Sequence, residues 1–346
     1  MREMRGLATG IGSLPHKDTG TALELIFRNV PQLPFWPQLP KRDVRESMIV
    51  QFSEGLPCIK VSKTGVFFGP QNKEKELEAF YEKVISRDLE YFKISRDFAA
   101  GIYAFHEKLG ESDLSGVRFI KGHITGPFTF AAGINDDKGI ALLHDEVFMQ
   151  AIVNTLTMKA LWQIKFLREF DKPLLIFLDE PYLGCFGSAF TPINREDVVR
   201  RLNELLEPVK SQGCLCGVHC CGNTDWSMFT DVTSIDIISF DAFSFSDKFI
   251  LYAENLKAFI QRGGIICWGI VPTQDFSGKE TPELLAGKIK HNIDALANKG
   301  LNRDLLVKQM LISPACGLGT LDTLKSGKIF KLLSQTSALI GKNPQK

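Results

Sequence analysis

The stretch Cys214-Leu-Cys216-Gly-Val-His219-Cys220-Cys221-Gly222-Asn223-Thr224 decides how the chain is read. Residues i and i+2 of a strand point to one face, so His219 and Cys221 can reach one ion while Cys220 points away. Glycine directly after the pair marks the end of the strand and a turn. A further thiol, Cys316, follows in Ser-Pro-Ala-Cys316-Gly-Leu-Gly. One imidazole and two thiolates suit zinc. A metal site at a strand's end belongs to a fold that gathers its chemistry at strand ends.

Similar apolar, β-rich runs recur on either side: Leu7–Gly12, Val61–Phe68, Val117–Ile124, Leu174–Leu178, Ile235–Phe240, Ile265–Ile270 and Val307–Ile312. With Cys214–Cys221 they make eight strand candidates. Helical spacing fills about 20–29, 73–109, 142–170, 194–211, 247–262, 280–299 and 320–340. Alternation of this kind predicts an α/β protein with a parallel sheet, and eight units predict a (β/α)8 TIM barrel. The whole of 1–346 reads as one domain. The Pro- and Gly-rich region about 31–72 reads as an elaborated loop over the barrel mouth. No Gly-x-Gly-x-x-Gly or Walker loop supports a nucleotide fold instead.

Composition sets limits. A net charge of +1 gives no bulk attraction to nucleic acid or to an anionic membrane. Eight cysteines in 346 residues are too sparse for a disulfide scaffold and fit a reducing compartment. The N-terminus lacks the apolar stretch of a signal peptide, and no apolar run approaches a membrane span. A cytoplasmic protein is expected.

Polar motifs fall where each strand candidate ends. They include Ile11-Gly12-Ser13, Thr125-Gly126-Pro127, Asp179-Glu180-Pro181, Asp241 and Val271-Pro272-Thr273. In a barrel these positions share one mouth. Asp241 reads as a fourth metal ligand or as a carboxylate behind the ligands. Cys214, Cys216, Cys220 and Cys267 read as small buried apolar residues. His16 and His123 read as structural.

Taken in order, these motifs resemble the catalytic barrel of the cobalamin-independent methionine synthase family, within the uroporphyrinogen decarboxylase-like superfamily. Ile11-Gly12-Ser13-Leu14-Pro15 resembles that family's Ile-Gly-Ser-Phe-Pro, Thr125-Gly126-Pro127 its Thr-Gly-Pro, and Asp179-Glu180-Pro181 its Asp-Glu-Pro. His219-x-Cys221 and Cys316-Gly317-Leu318 resemble its zinc ligands, and Ile238-Ser239-Phe240-Asp241 the Ile-Ser-Ile-Glu that supplies a carboxylate. The resemblance implies a zinc-dependent methyltransferase that makes methionine from homocysteine. His219, Cys221, Cys316 and Asp241 would hold zinc. Ile11, Gly12, Ser13, Asp179 and Glu180 would hold the substrate, with its ammonium on Asp179.

Three departures bear on the methyl donor. There is one barrel where the folate-dependent enzyme has two. Aspartate stands at the carboxylate position. The loop Gly269-Ile270-Val271-Pro272-Thr273 lacks the family's proton-donating histidine. Methyltetrahydrofolate releases an amine and needs that proton, an effect typically worth about 100- to 10,000-fold. A methylcorrinoid does not. The string His-x-Cys-Gly-Asn-Thr also resembles methylcobamide:coenzyme M methyltransferases. The expected donor is therefore methylcobalamin or a corrinoid protein. Alternatives are a coenzyme M-type thiol acceptor, or a zinc-stabilised barrel without turnover. Uroporphyrinogen decarboxylation needs no metal, and the thiols argue against it.

Overall fold

The computed structural model describes residues 3–62, 65–188 and 193–342. Among the described residues, nine strands run in chain order: β1 (Leu7–Ala8), β2 (Ile59–Ser62), β3 (Gly65–Phe68), β4 (Ile120–Thr125), β5 (Leu174–Asp179), β6 (Leu215–Cys220), β7 (Ile237–Phe240), β8 (Ile265–Val271) and β9 (Met310–Pro314). Seven of them form one parallel sheet in the order β1-β9-β8-β7-β6-β5-β4. β4, β5, β7, β8 and β9 are buried at every residue, as a parallel sheet covered by helices requires.

The two faces of the sheet bury different partners. Leu175 and Phe177 join Leu7, Phe119, Ile237 and Leu311 in a small apolar cluster of their own. The alternate residues Ile176, Leu178, Val218 and Ile238 join the large cluster shared with the helices. Glu146–Leu167 is the longest of those helices; Asp145 caps it by accepting from the backbone amides of Val147 and Phe148 at 3.0 and 3.1 Å. Arg195–Lys210 starts the same way, on Asn194.

The predicted strand Val61–Phe68 is not part of this sheet. β2 and β3 pair antiparallel as a separate hairpin, and residues 63 and 64 lie outside the described ones. The gap between edge strands β4 and β1 is bridged instead by Gln32–Gln38. Lys121 N donates to Pro34 O at 3.0 Å on one side, and Gln38 N donates to Gly12 O at 3.1 Å on the other. Single parallel bridges, Phe35 to Lys121 and Ser13 to Gln38, accompany these bonds. One segment bonding both edges means that the sheet curls round on itself. Pro34 and Pro37 supply no amide, so the segment never becomes a regular strand.

Two predicted helices are each two. The 73–109 pattern divides into Lys73–Ile85 and Ala100–Glu111. Arg87 takes a left-handed conformation (φ 52°) between them, and Asp88 holds the turn by accepting from Lys83 Nζ at 3.0 Å. The 247–262 pattern divides into Ala242–Phe249 and Ala253–Gln261. No helix among the described residues is long and apolar enough to cross a membrane.

Candidate metal centre

Neighbouring strands in register carry Asp179 and His219 side by side at the ends of β5 and β6. Cys221 is the first residue beyond β6. The turn that follows is tight: a Cβ on Gly222 would lie 2.8 Å from the Gly184 Cα, so two glycine backbones lie against each other. Thr224 Oγ1 fastens this turn to Leu183 O at 2.7 Å. Cys316 arrives from the far side of the sheet, two residues past β9. Its loop is tied to the Ile11–Ser13 loop by Leu318 N donating to Ser13 O at 2.9 Å. A Cβ on Gly317 would lie 2.2 Å from Ser13 Oγ, so glycine is required for the approach.

The three elements bring one ligand atom each from His219, Cys221 and Cys316 within 4.8 Å of one another. His219 is buried. Its Nδ1 meets Ser239 Oγ at 3.0 Å, and its Nε2 has no hydrogen-bond partner. A buried imidazole nitrogen left unpaired beside two thiols is the state of a ligand awaiting a cation. Cys221 and His219 beside it hold the Cys316 thiol well below the usual thiol range, and Cys316 in turn pushes Cys221 up. The thiolate is the form that binds metal. Cys220 faces the helices, and burial pushes its thiol up to about 12. This donor set fits zinc.

The group opens on a cavity of about 530 Å³, whose walls include Ile11, Ser13, Gln38, Asp179, Gln274 and Thr320. Asp179 is buried and its Oδ1 has no partner. Burial raises its carboxyl to about 6, against the pull of Lys121 and His219. Lys121, which sequence reasoning missed, is buried beneath the site. Its ammonium donates to Ile11 O and lies 5.6 and 4.7 Å from the ring centres of Phe35 and Phe177. Alternation along β4 would have placed it on the same face as His123 and Thr125.

Other expected site residues lie elsewhere. Glu180 points to the opposite side of β5 from Asp179. It accepts from Phe128 N (3.0 Å), Thr129 N (2.8 Å) and Thr129 Oγ1 (2.6 Å), which fastens the start of the Pro127–Ala132 helix. Its expected role on the substrate gives way to this structural one. Asp241 is not in the three-residue group. Its carboxylate caps Ala242–Phe249, accepting from Ser244 N at 2.9 Å. Gly12 serves by absence of a side chain, since a Cβ there would lie 2.9 Å from the His123 ring. His123 stacks on Trp36 with ring centres 3.9 Å apart, and burial holds its pKa well below the usual range.

No family model matches the chain, and neither does any curated protein. A solved structure does: a B12-independent methionine synthase from Shewanella sp. W3-18-1 in complex with selenomethionine. It is similar over 98% of both chains, with a TM-score of 0.57 and 16% sequence identity. Over that span, this chain therefore shares the fold of that methionine synthase.

Proposed function

We propose that the protein is a zinc-dependent S-methyltransferase that moves a methyl group to homocysteine, on a sheet that the Gln32–Gln38 segment completes as a (β/α)8-type barrel. The observation that carries the reading is the unpaired Nε2 of His219 beside Cys221 and Cys316, in a cavity that also holds the unpaired carboxylate oxygen of Asp179. Zinc bound to three protein ligands would lower the pKa of a substrate thiol and hold it as a thiolate at neutral pH. Asp179 offers its free oxygen to the substrate ammonium. The Ile11–Ser13 backbone, held by Lys121 and by the Cys316 loop, positions the other end of the amino acid. The sulfur then attacks the methyl carbon, and the bonding pair leaves with the donor.

Asp179 also favours homocysteine over coenzyme M. A sulfonate beside a buried carboxylate is repelled, whereas an ammonium is paired. An open cavity with an unpaired carboxylate oxygen likewise argues against a merely structural zinc site.

For the donor, two of the sequence arguments for a methylcorrinoid stand: the missing histidine in Gly269–Thr273 and the His-x-Cys-Gly-Asn-Thr string. His123 does not replace the acid, because Trp36 and Gly12 enclose it. Chain length separates nothing, since the B12-independent neighbour has a chain of matching extent. The test is an anaerobic assay of zinc-loaded protein with homocysteine, comparing methylcobalamin with methyltetrahydrofolate. Faster methionine formation from methylcobalamin is expected. Faster turnover with the folate overturns the donor assignment, and no methionine from either overturns the function.

A further inference from the structure

We infer that Gln38 presents its side-chain oxygen to the cavity as a second acceptor for the substrate ammonium, and so selects thiols that carry N–H donors. The inference rests on the homocysteine reading above and gives a role to a residue which that reading leaves out. Gln38 is buried and forms part of the cavity wall. Its backbone is held from both sides. Gln38 N donates to Gly12 O at 3.1 Å, and Leu14 N donates to Gln38 O at 2.9 Å. The side chain therefore starts from a fixed point beside the Ile11–Ser13 loop.

The direction of its amide is set from the far side, through Gln51. Phe98 O is a backbone carbonyl and can only accept, so the Gln51 atom 2.9 Å from it is the donor Nε2. Gln51 is completely buried, and the atom it turns to Gln38 is then Oε1. That oxygen needs a donor, and Gln38 supplies its own Nε2 at 2.7 Å. Turning the Gln38 amide over would set two acceptor oxygens against each other. What remains is Gln38 Oε1. It accepts from no group among the described residues, and it is not among the sealed polar atoms, so it opens on the cavity that Gln38 lines.

Homocysteine can satisfy this oxygen in one way. With its sulfur on the metal and its carboxylate able only to accept, its donors are the N–H groups of the ammonium. There are three of these, more than the free oxygen of Asp179 takes alone, and hydrogen bonds from a charged donor are the strong ones. A thiol whose other end is purely anionic offers Gln38 nothing. Because the amide is neutral, it adds selectivity without placing a second negative charge beside Asp179.

The test uses homocysteine and 4-mercaptobutyrate, which has the same chain and carboxylate but no amino group. Binding of each to zinc-loaded protein is measured by calorimetry. Gln38→Leu, an apolar side chain of similar size, should weaken homocysteine about tenfold, the loss of one hydrogen bond to a charged group. It should leave 4-mercaptobutyrate unchanged. Gln51→Leu, which frees the Gln38 amide to turn over, should give a smaller loss confined to the same ligand. In unaltered protein carrying 13C-labelled glutamine, the amide carbon of Gln38 should shift on adding homocysteine and stay in place on adding 4-mercaptobutyrate. An amide carbon that ignores homocysteine overturns the inference and leaves the homocysteine reading standing, and so does a Gln38→Leu protein in which both ligands are weakened equally or not at all. Unaltered protein that binds 4-mercaptobutyrate as tightly as homocysteine overturns the homocysteine reading itself.

Discussion

Asp179 and Glu180 are adjacent, both buried, and opposite in character. On the inner side of β5, Asp179 has an oxygen with no partner and looks into the cavity. On the outer side, Glu180 has three donors and looks into a helix. The same division separates Cys221 from Cys220 on β6. Burial alone therefore does not mark function here. What marks it is burial without satisfaction on the wall of the cavity, which is costly unless a ligand arrives to complete the site.

The contrast can be broken by exchanging sides. The largest effect should come from Cys316→Ser. Zinc sites of this type bind with about 10–16 kcal/mol, so losing one of few ligands should weaken zinc by roughly a thousandfold. Cys220→Ser should leave it unchanged, and chelator competition reads both. Equal loss in the two would erase the distinction between the faces. Next comes Glu180→Ala, which strands three buried donors at about 1–3 kcal/mol each. A loss of about 4 kcal/mol in urea unfolding is expected, with zinc stoichiometry intact in whatever remains folded.

Asp179 should respond to pH where Glu180 responds to truncation. Its carboxyl rises from 3.8 to about 6 on folding. A raised carboxyl favours the protonated folded state, so its contribution is fully present below pH about 4 and is lost as pH rises through about 6. In metal-free protein the wild type should therefore lose up to about 3 kcal/mol relative to Asp179→Asn across that window. Parallel stability curves for the two proteins would mean that the carboxyl is not desolvated. The smallest effect is on binding. Asp179→Asn should weaken homocysteine by about tenfold, with zinc content unchanged, as calorimetry would show.

Much of this was readable in advance, for a physical reason. Strands buried on both faces are continuous apolar runs, and a polar residue at the end of such a run stands out. Asp179, His219, Cys221 and Cys316 were found this way. Val61–Phe68 has the same composition, because a hairpin on the surface and a strand in the sheet draw on the same β-formers. Conversely, Gln32–Gln38 carries two prolines and reads as a loop, though it does a strand's work at the sheet edge. The break near Arg87 had no glycine or proline to announce it. Glu180 could have been assigned correctly: the alternation that paired His219 with Cys221 also puts Glu180 opposite Asp179. Ser239 was quoted only as part of a motif, and nothing in its own chemistry distinguishes it until its neighbour His219 on β6 is known.

The proline-interrupted bridge between β4 and the chain beyond β1 also has a mechanical meaning. Between regular strands a sheet is laced at every second residue, but here it is fastened at a few points. A curled sheet parts most readily where its stitching is sparsest. Gln38, at one end of this bridge, is also a wall of the cavity beside Ser13. The line along which the molecule would first part thus runs to the rim of the site, and strain taken up there would be felt by whatever the cavity holds.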